Sequence, residues 1–221
     1  MKVNRVASRS TLLACFAFST ALAIPGCGVI PQEPDVHLYQ ARTPETVESD
    51  GARPREAVIF GRVHVVLNGE KVEYGRGLFS TSAAFWLQSK DSVPAIDNPT
   101  PKIMQVAGLR LLEDGLFVYA VPAARYELRT LLVHEPNHWI WIQAVLETEC
   151  GTPGVAYYLG DLEIDIDTGL GGDKLNYLEV VDRYDDVRAR VVDRLRMLGI
   201  ASTQKAPLTR IRGQVPTLRA P

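Results

Sequence analysis

His134-Glu135-Pro136-Asn137-His138 has the His-Glu-x-x-His spacing that can hold zinc through two imidazoles and activate a water with the carboxylate between them. That chemistry requires a helix, because only there do side chains four residues apart point the same way. Pro136 opposes one. Inside a helix it removes a hydrogen bond and clashes, at a cost of roughly 3 kcal/mol, and it drives Glu135 out of the helical region. Both flanks, residues 126–133 and 139–146, read as strands, so the spacing predicts a hairpin loop. A zinc-dependent hydrolase using His134, Glu135 and His138 stands as the alternative reading, with no third ligand evident.

Asp161, Glu163, Asp165 and Asp167 alternate with Leu162, Ile164 and Ile166, which puts four carboxylates on one face of a strand. Such a row could draw Ca²⁺, but an EF-hand loop begun at Asp165 would need Gly where Leu170 stands and Glu where Asn176 stands. The row is expected to be a solvated outer face that discourages edge aggregation. Asp167-Thr168-Gly169 spells the aspartic-protease triplet, with Leu170 in place of the usual small residue. The glycines of 169–172 lack the Gly-Lys-Ser/Thr ending of a phosphate loop and read as a turn between strand and helix. No Gly-x-Ser-x-Gly elbow occurs. Trp139 and Trp141 share a strand face with Gln143. They offer a stacking platform for a glycan or peptide, or a surface for a C-terminal helix to cover, and the covering is expected. Cys150 has no His or other base beside it in sequence and reads as a small, partly buried residue. These groups give no expected catalytic, metal-binding or cofactor-binding residue.

The elements that must position these residues are mostly strands. Residues 57–67 are rich in β-branched and aromatic types and run into Asn68-Gly69, a strong hairpin signal, with 71–74 as the return strand. Residues 78–87 are a further strand and 89–101, with Pro94, Pro99 and Pro101, a loop. A second hairpin is expected from 106–112 through Glu113-Asp114-Gly115 to 116–121. Strands at 126–133, 139–146 and 155–166 follow, with turn residues rather than helices between them, which argues an antiparallel sandwich or barrel. One helix is expected from Asp182 as N-cap, with Tyr184, Val187, Val191, Leu195 and Leu198 on one face and Gly199 as the C-terminal cap. Residues 201–221 carry Lys205, Arg210, Arg212 and Arg219 without an acid and read as a loose basic tail able to meet anionic lipid or a partner.

The chain has 221 residues, 46% hydrophobic and 23% charged, enough for one globular domain with extensions. Its beginning is basic, with Lys2, Arg5 and Arg9, and is followed by an apolar run over 12–24, the layout of a secretory signal peptide. That run is too short to span a bilayer, which takes about 20 residues. Removing residues 1–26 takes those three from 24 basic side chains and none from 26 acidic ones, leaving 21 against 26, a weak acidity with no footprint for nucleic acid. Residues 28–55, with Pro31, Pro34, Pro44 and Pro54, lack an apolar period and read as a tether.

Ile24-Pro25-Gly26-Cys27 resembles the lipobox of bacterial lipoproteins. The resemblance implies cleavage before Cys27, a diacylglycerol on its thiol and usually acylation of the new amino group. Each buried methylene contributes roughly 0.8 kcal/mol, so two or more chains anchor stably. Pro25 stands where Ser or Ala is more usual. An earlier Leu12-Leu13-Ala14-Cys15 has the same spelling, with too little apolar sequence before it. The rival is a general signal-peptidase cut after Ala21-Leu22-Ala23, which would release a soluble protein whose Cys27 is free to pair with Cys150.

Residues 59–132 resemble the transthyretin-like sandwich found as the carboxypeptidase regulatory-like domain and in bacterial lipoproteins. The matching residues are Gly61-Arg62-Val63, Leu112-Glu113-Asp114-Gly115-Leu116-Phe117 and Val121-Pro122-Ala123-Ala124-Arg125-Tyr126-Glu127-Leu128, with Ala124 where the family has Gly. The resemblance implies fold and not activity, since such domains bind, space or support. The expected order is signal peptide 1–26, tether 27–55, β-sandwich 56–181, helix 182–199 and basic tail 200–221. The expected role is a non-catalytic envelope lipoprotein, lipidated at Cys27 and membrane-anchored. Its expected place is the outer membrane facing the periplasm, since Gly28 follows the cysteine, and an envelope protein or cell-wall glycan is the expected partner.

Overall fold

The computed structural model describes residues 36–43, 55–74, 82–93, 102–112, 114–135, 138–169 and 171–219. The compact unit holding them is Glu33–Pro221. Among the described residues it is mainly β, two mixed sheets with a single helix. Its strands are β1 Val36–Tyr39, β2 Glu56–Leu67, β3 Glu70–Lys71, β4 Ser82–Val93, β5 Lys102–Arg110, β6 Leu116–Pro122 and β7 Ala124–Glu135. After these come β8 His138–Cys150, β9 Val155–Asp167, β10 Lys174–Val181, helix α1 Tyr184–Met197, β11 Ser202–Lys205, β12 Thr209–Arg210 and β13 Thr217–Arg219.

The first sheet runs β1-β5-β4-β7-β8-β12, with β13 further along β8; the second runs β10-β9-β2-β3, with β11 on β9 and β6 on β2. The expected sandwich is present, but it is not wholly antiparallel. β1 runs parallel to β5, β2 to β9 and β11 to β9. Asn68 and Gly69 both take positive φ, 52° and 81°, and close the β2–β3 hairpin as expected. The expected second hairpin is not one, because β5 and β6 belong to different sheets. Gly115, at φ 80°, makes a corner there, where Leu112 N–H donates to the Leu116 carbonyl and Val63 N–H to the Gly115 carbonyl.

The principal core lies between the sheets, where Ile59, Phe85, Phe117, Leu128, Leu131, Ile142, Leu162 and Ile164 are buried. Phe85 and Phe117 meet edge to face at 4.8 Å. A second core lies on the far side of the second sheet, where Val187, Val191, Leu195 and Leu198 of α1 pack on Val58, Phe60, Leu116, Val118, Ala156 and Tyr158. The helix therefore does not cover the tryptophans. The reason is in the strands: Ala57-Val58-Ile59-Phe60 and the stretch from Val155 to Leu159 are apolar at every position, which suits burial on both faces. The helix ends as its sequence indicates, with Ile200 N–H donating to the Leu195 carbonyl, Gly199 N–H to that of Arg196, and Gly199 at φ 70°. Asp182 sits one place before the N-cap position, Arg183, and its Oδ1 accepts the Tyr184 N–H at 3.1 Å.

The described parts of both extensions pair with the sheets, which the readings as tether and loose tail do not anticipate. Within the span read as a tether, Val36–Tyr39 pairs with β5, Tyr39 is buried, and Arg42 exchanges backbone hydrogen bonds with Ala120. Tyr39 Oη and the Arg42 guanidinium both donate to the buried Glu56 carboxylate. The span read as a loose tail is stitched across the edge of the sandwich. Ala206 and Leu208 N–H donate to the Tyr158 and Leu159 carbonyls, and then β12 and β13 pair with β8. The turn at 169–172 leads into β10, not directly into the helix. Residues 1–26, with Cys27 and Pro136, lie outside the described residues.

Candidate functional site

The outer face of the first sheet is built by alternation. In β8, Ile140, Ile142 and Ala144 enter the core, so Trp139, Trp141 and Gln143 face outward. In β4, Phe85 and Leu87 enter the core, so Trp86 faces outward with Ala84 and Gln88. Register sets these into rows across β7: Trp86, Thr130 and Gln143 form one, Ala84, Leu132 and Trp141 the next, and Ser82, His134 and Trp139 a third. The Trp86 and Trp141 rings lean over β7 into a stack, centroids 5.8 Å apart and planes 27° apart. Leu132, an apolar side chain on an outer face, is buried. Trp139 is 46% exposed, and its ring lies 3.9 Å from that of His134, centroid to centroid. Trp86 escaped the sequence reading, although Phe85 and Leu87 on either side of it are the signal that would have turned it outward.

Beside these rows the charges pair among themselves. Lys90 Nζ lies 2.6 Å from Glu147 and 3.6 Å from Glu127, Arg129 bonds Glu127, and Arg125 grips Asp91 through two hydrogen bonds. The hydrogen bond to Glu147 foremost raises the Lys90 pKa, and that to Arg125 lowers the Asp91 pKa. An open cleft of about 620 Å³, lined by Lys90, Glu147, Tyr157 and Lys205 among others, begins where this face ends.

The β7–β8 hairpin dismantles the zinc spacing. His134 is paired with Trp139 and Glu135 with His138, and in a ladder paired residues share a face while neighbours alternate. His134 and His138 therefore stand on opposite faces, and His138 Nε2 lies 2.7 Å from Asp173 Oδ2 instead. Among the described residues no group of three His, Cys, Asp or Glu is placed to hold a metal.

The acidic row passes from a fully buried Asp161 through half-buried Glu163 and Asp165 to an exposed Asp167, so the expected solvated face holds only at its far end. Asp161 is fully buried and accepts from Arg62 Nε at 2.9 Å, Arg62 Nη2 at 2.6 Å and Tyr158 Oη at 3.2 Å. Arg183 reaches Asp161 and Glu163, and Arg62 also reaches Asp186 at the start of α1. Asp165 and Asp167 accept from Asn176 Nδ2. β9 lies inside its sheet, so the row guards no edge. Thr168 of the protease-like triplet bonds Asn68 across the sheet end. Cys150 is buried, and burial pushes its thiol up to about 12, which leaves no reactive thiolate at neutral pH.

No family model matches the chain, and no curated protein matches it. A solved structure found similar is 3-chlorocatechol 1,2-dioxygenase from Rhodococcus opacus, at 13% identity over 82% of this chain and 68% of that one, with a TM-score of 0.21. A likeness that low transfers neither fold nor chemistry.

Proposed function

We propose that this chain is a membrane-anchored, non-catalytic binding domain of the bacterial cell envelope. The observation that carries the binding role is the open tryptophan face. α1 packs on the second sheet, leaving Trp86, Trp139 and Trp141 on a face that no helix covers among the described residues. Clustered outward aromatics on a rigid sheet are costly for a domain that only spaces or supports, and they mark recognition surfaces. Lipidation at Cys27 rests on the Ile24-Pro25-Gly26-Cys27 spelling. No helix among the described residues is long and apolar enough to cross a membrane. The resemblance to transthyretin-like domains agrees with binding, and Gly28 after the lipidated position favours the outer membrane, facing the periplasm.

The test is the intact mass of the membrane-fraction protein beside a Cys27→Ser variant. The expected mature chain begins at Cys27 with the added mass of a diacylglycerol and further acylation, and the variant leaves the membrane fraction. A mature chain beginning at Ile24, unacylated and released, would overturn the anchor.

A further inference from the structure

We propose that the outer face of the first sheet, centred on Trp86 and Trp141, binds an uncharged polysaccharide chain. The proposal rests on the binding role above and names its ligand. A pyranose ring has an apolar face of C–H bonds and a rim of hydroxyls, so it needs flat aromatic surface next to groups that both donate and accept. Trp86 and Trp141 supply the surface, and their mutual stack fixes both indoles without ordering on binding. Thr130 and Gln143 share the row of Trp86, and Gln88 stands two residues along β4 on the same face. These hydroxyl and amide groups donate and accept alike.

Charge selects against an ionic partner. Lys90, Arg125 and Arg129 are each held by an acid beside the rows, so these three cations present bound pairs rather than a field of one sign to a polyanion or a basic segment. An apolar protein helix fits poorly, because the rows alternate indoles with Thr130, Gln143 and Gln88, whose polar groups it would bury unpaired. Shape points to a chain rather than a single ring. The aromatic positions run from Trp139 past Trp141 to Trp86, and the cleft beside Lys90 and Glu147 continues from the Gln88 row.

Fluorescence and calorimetric titration of the mature domain with chitotetraose, cellotetraose and maltotetraose tests this. One of the three is expected to shift tryptophan emission and to bind at least tenfold more tightly than its own disaccharide. Trp86→Ala and Trp141→Ala should each weaken that binding at least tenfold, with Trp86→Tyr retaining part of it and thermal melts confirming the fold of each variant. His138→Ala, on the other face of the hairpin, should leave binding unchanged. Silence of all three sugars at millimolar concentration overturns the assignment, as does binding indifferent to both alanine variants. An indole-dependent peptide or protein partner in their place also overturns it. Each result is independent of lipidation at Cys27, so the ligand and the anchor fail separately.

Discussion

Arg62 donates to the fully buried Asp161 through both Nε and Nη2, at 2.9 and 2.6 Å, and the two residues stand opposite each other on parallel strands 99 positions apart in the chain. The pair joins β2 to β9 and, through Asp186 and Arg183, ties both strands to the segment that opens α1.

Removing one partner is far worse than removing both. Asp161→Ala leaves the Arg62 guanidinium buried with much of its compensation gone, and such changes cost roughly 3–5 kcal/mol. Arg62→Met alone should cost comparably, while the Arg62→Met, Asp161→Ala double variant should lose less than the sum of the singles. Urea midpoints of the four proteins at constant m-value measure this. Strict additivity would mean that the pair does not act as a unit.

A bulge makes that pair possible. Between Phe60 and Arg62 of β2 the register to β9 shifts, so that Tyr158 and Asp161 share the outer face despite their odd separation. Gly160 supplies the geometry at φ 105°, and an added Cβ would lie 2.4 Å from Val180 Cγ1. Gly160→Ala should therefore cost on the order of 2–4 kcal/mol through strain and overpacking together. Gly171→Ala, where a Cβ meets nothing, should stay within about 0.5 kcal/mol. Equal melting temperatures for the two variants would remove the bulge from the argument.

These particulars show what the chain makes legible. β8 reads His-Trp-Ile-Trp-Ile-Gln, and that alternation announced a strand with one open face. The unbroken apolar run of β2 announced burial on both faces, and read together the two would have sent the helix to the second sheet. Asp161 could not be read as buried, because its direction depends on a one-residue bulge and its burial on a helix that follows later in the chain. β1, β11, β12 and β13 are too short for a period to show, and they are held by backbone pairing that any composition can supply. The expectation at Cys27 stands on the Ile24-Pro25-Gly26-Cys27 spelling alone, and the fold of 36–219 has no bearing on it.

Acid should weaken the domain through His64. Burial foremost, then the cations of Arg62 and Lys71, lower its pKa below the ordinary 6.5; Asp161, 3.8 Å away, pulls the other way, and Arg183 adds to the lowering. Glu163 also belongs to the Arg183 end of the same cluster. A group with a lowered folded pKa keeps its ring neutral in the native state while the unfolded chain takes up the proton. Its stabilising contribution is then fully present above about pH 6.5 and is lost as pH falls from there to the lowered native value. Denaturation midpoints between pH 7.5 and 5 should fall for the parent chain and fall less steeply for His64→Leu. Parallel slopes would assign the acid sensitivity to the carboxylates.

Cys150 bears on the rival in which Cys27 pairs with it. Its side chain is buried in the inter-sheet core near Ala124 and Tyr126, and its thiol, pushed up to about 12, holds almost no thiolate at pH 8. Disulfide exchange proceeds through the thiolate and needs access to it, so pairing would demand local opening of the end of β8. In a Cys27→Ser chain that begins after the leader, Cys150 is the one remaining cysteine. Ellman's reagent should label it at a rate set by unfolding in native buffer and within seconds in denaturant. A native rate that rises tenfold per pH unit and matches the denatured rate would place the thiol at the surface and restore the disulfide reading.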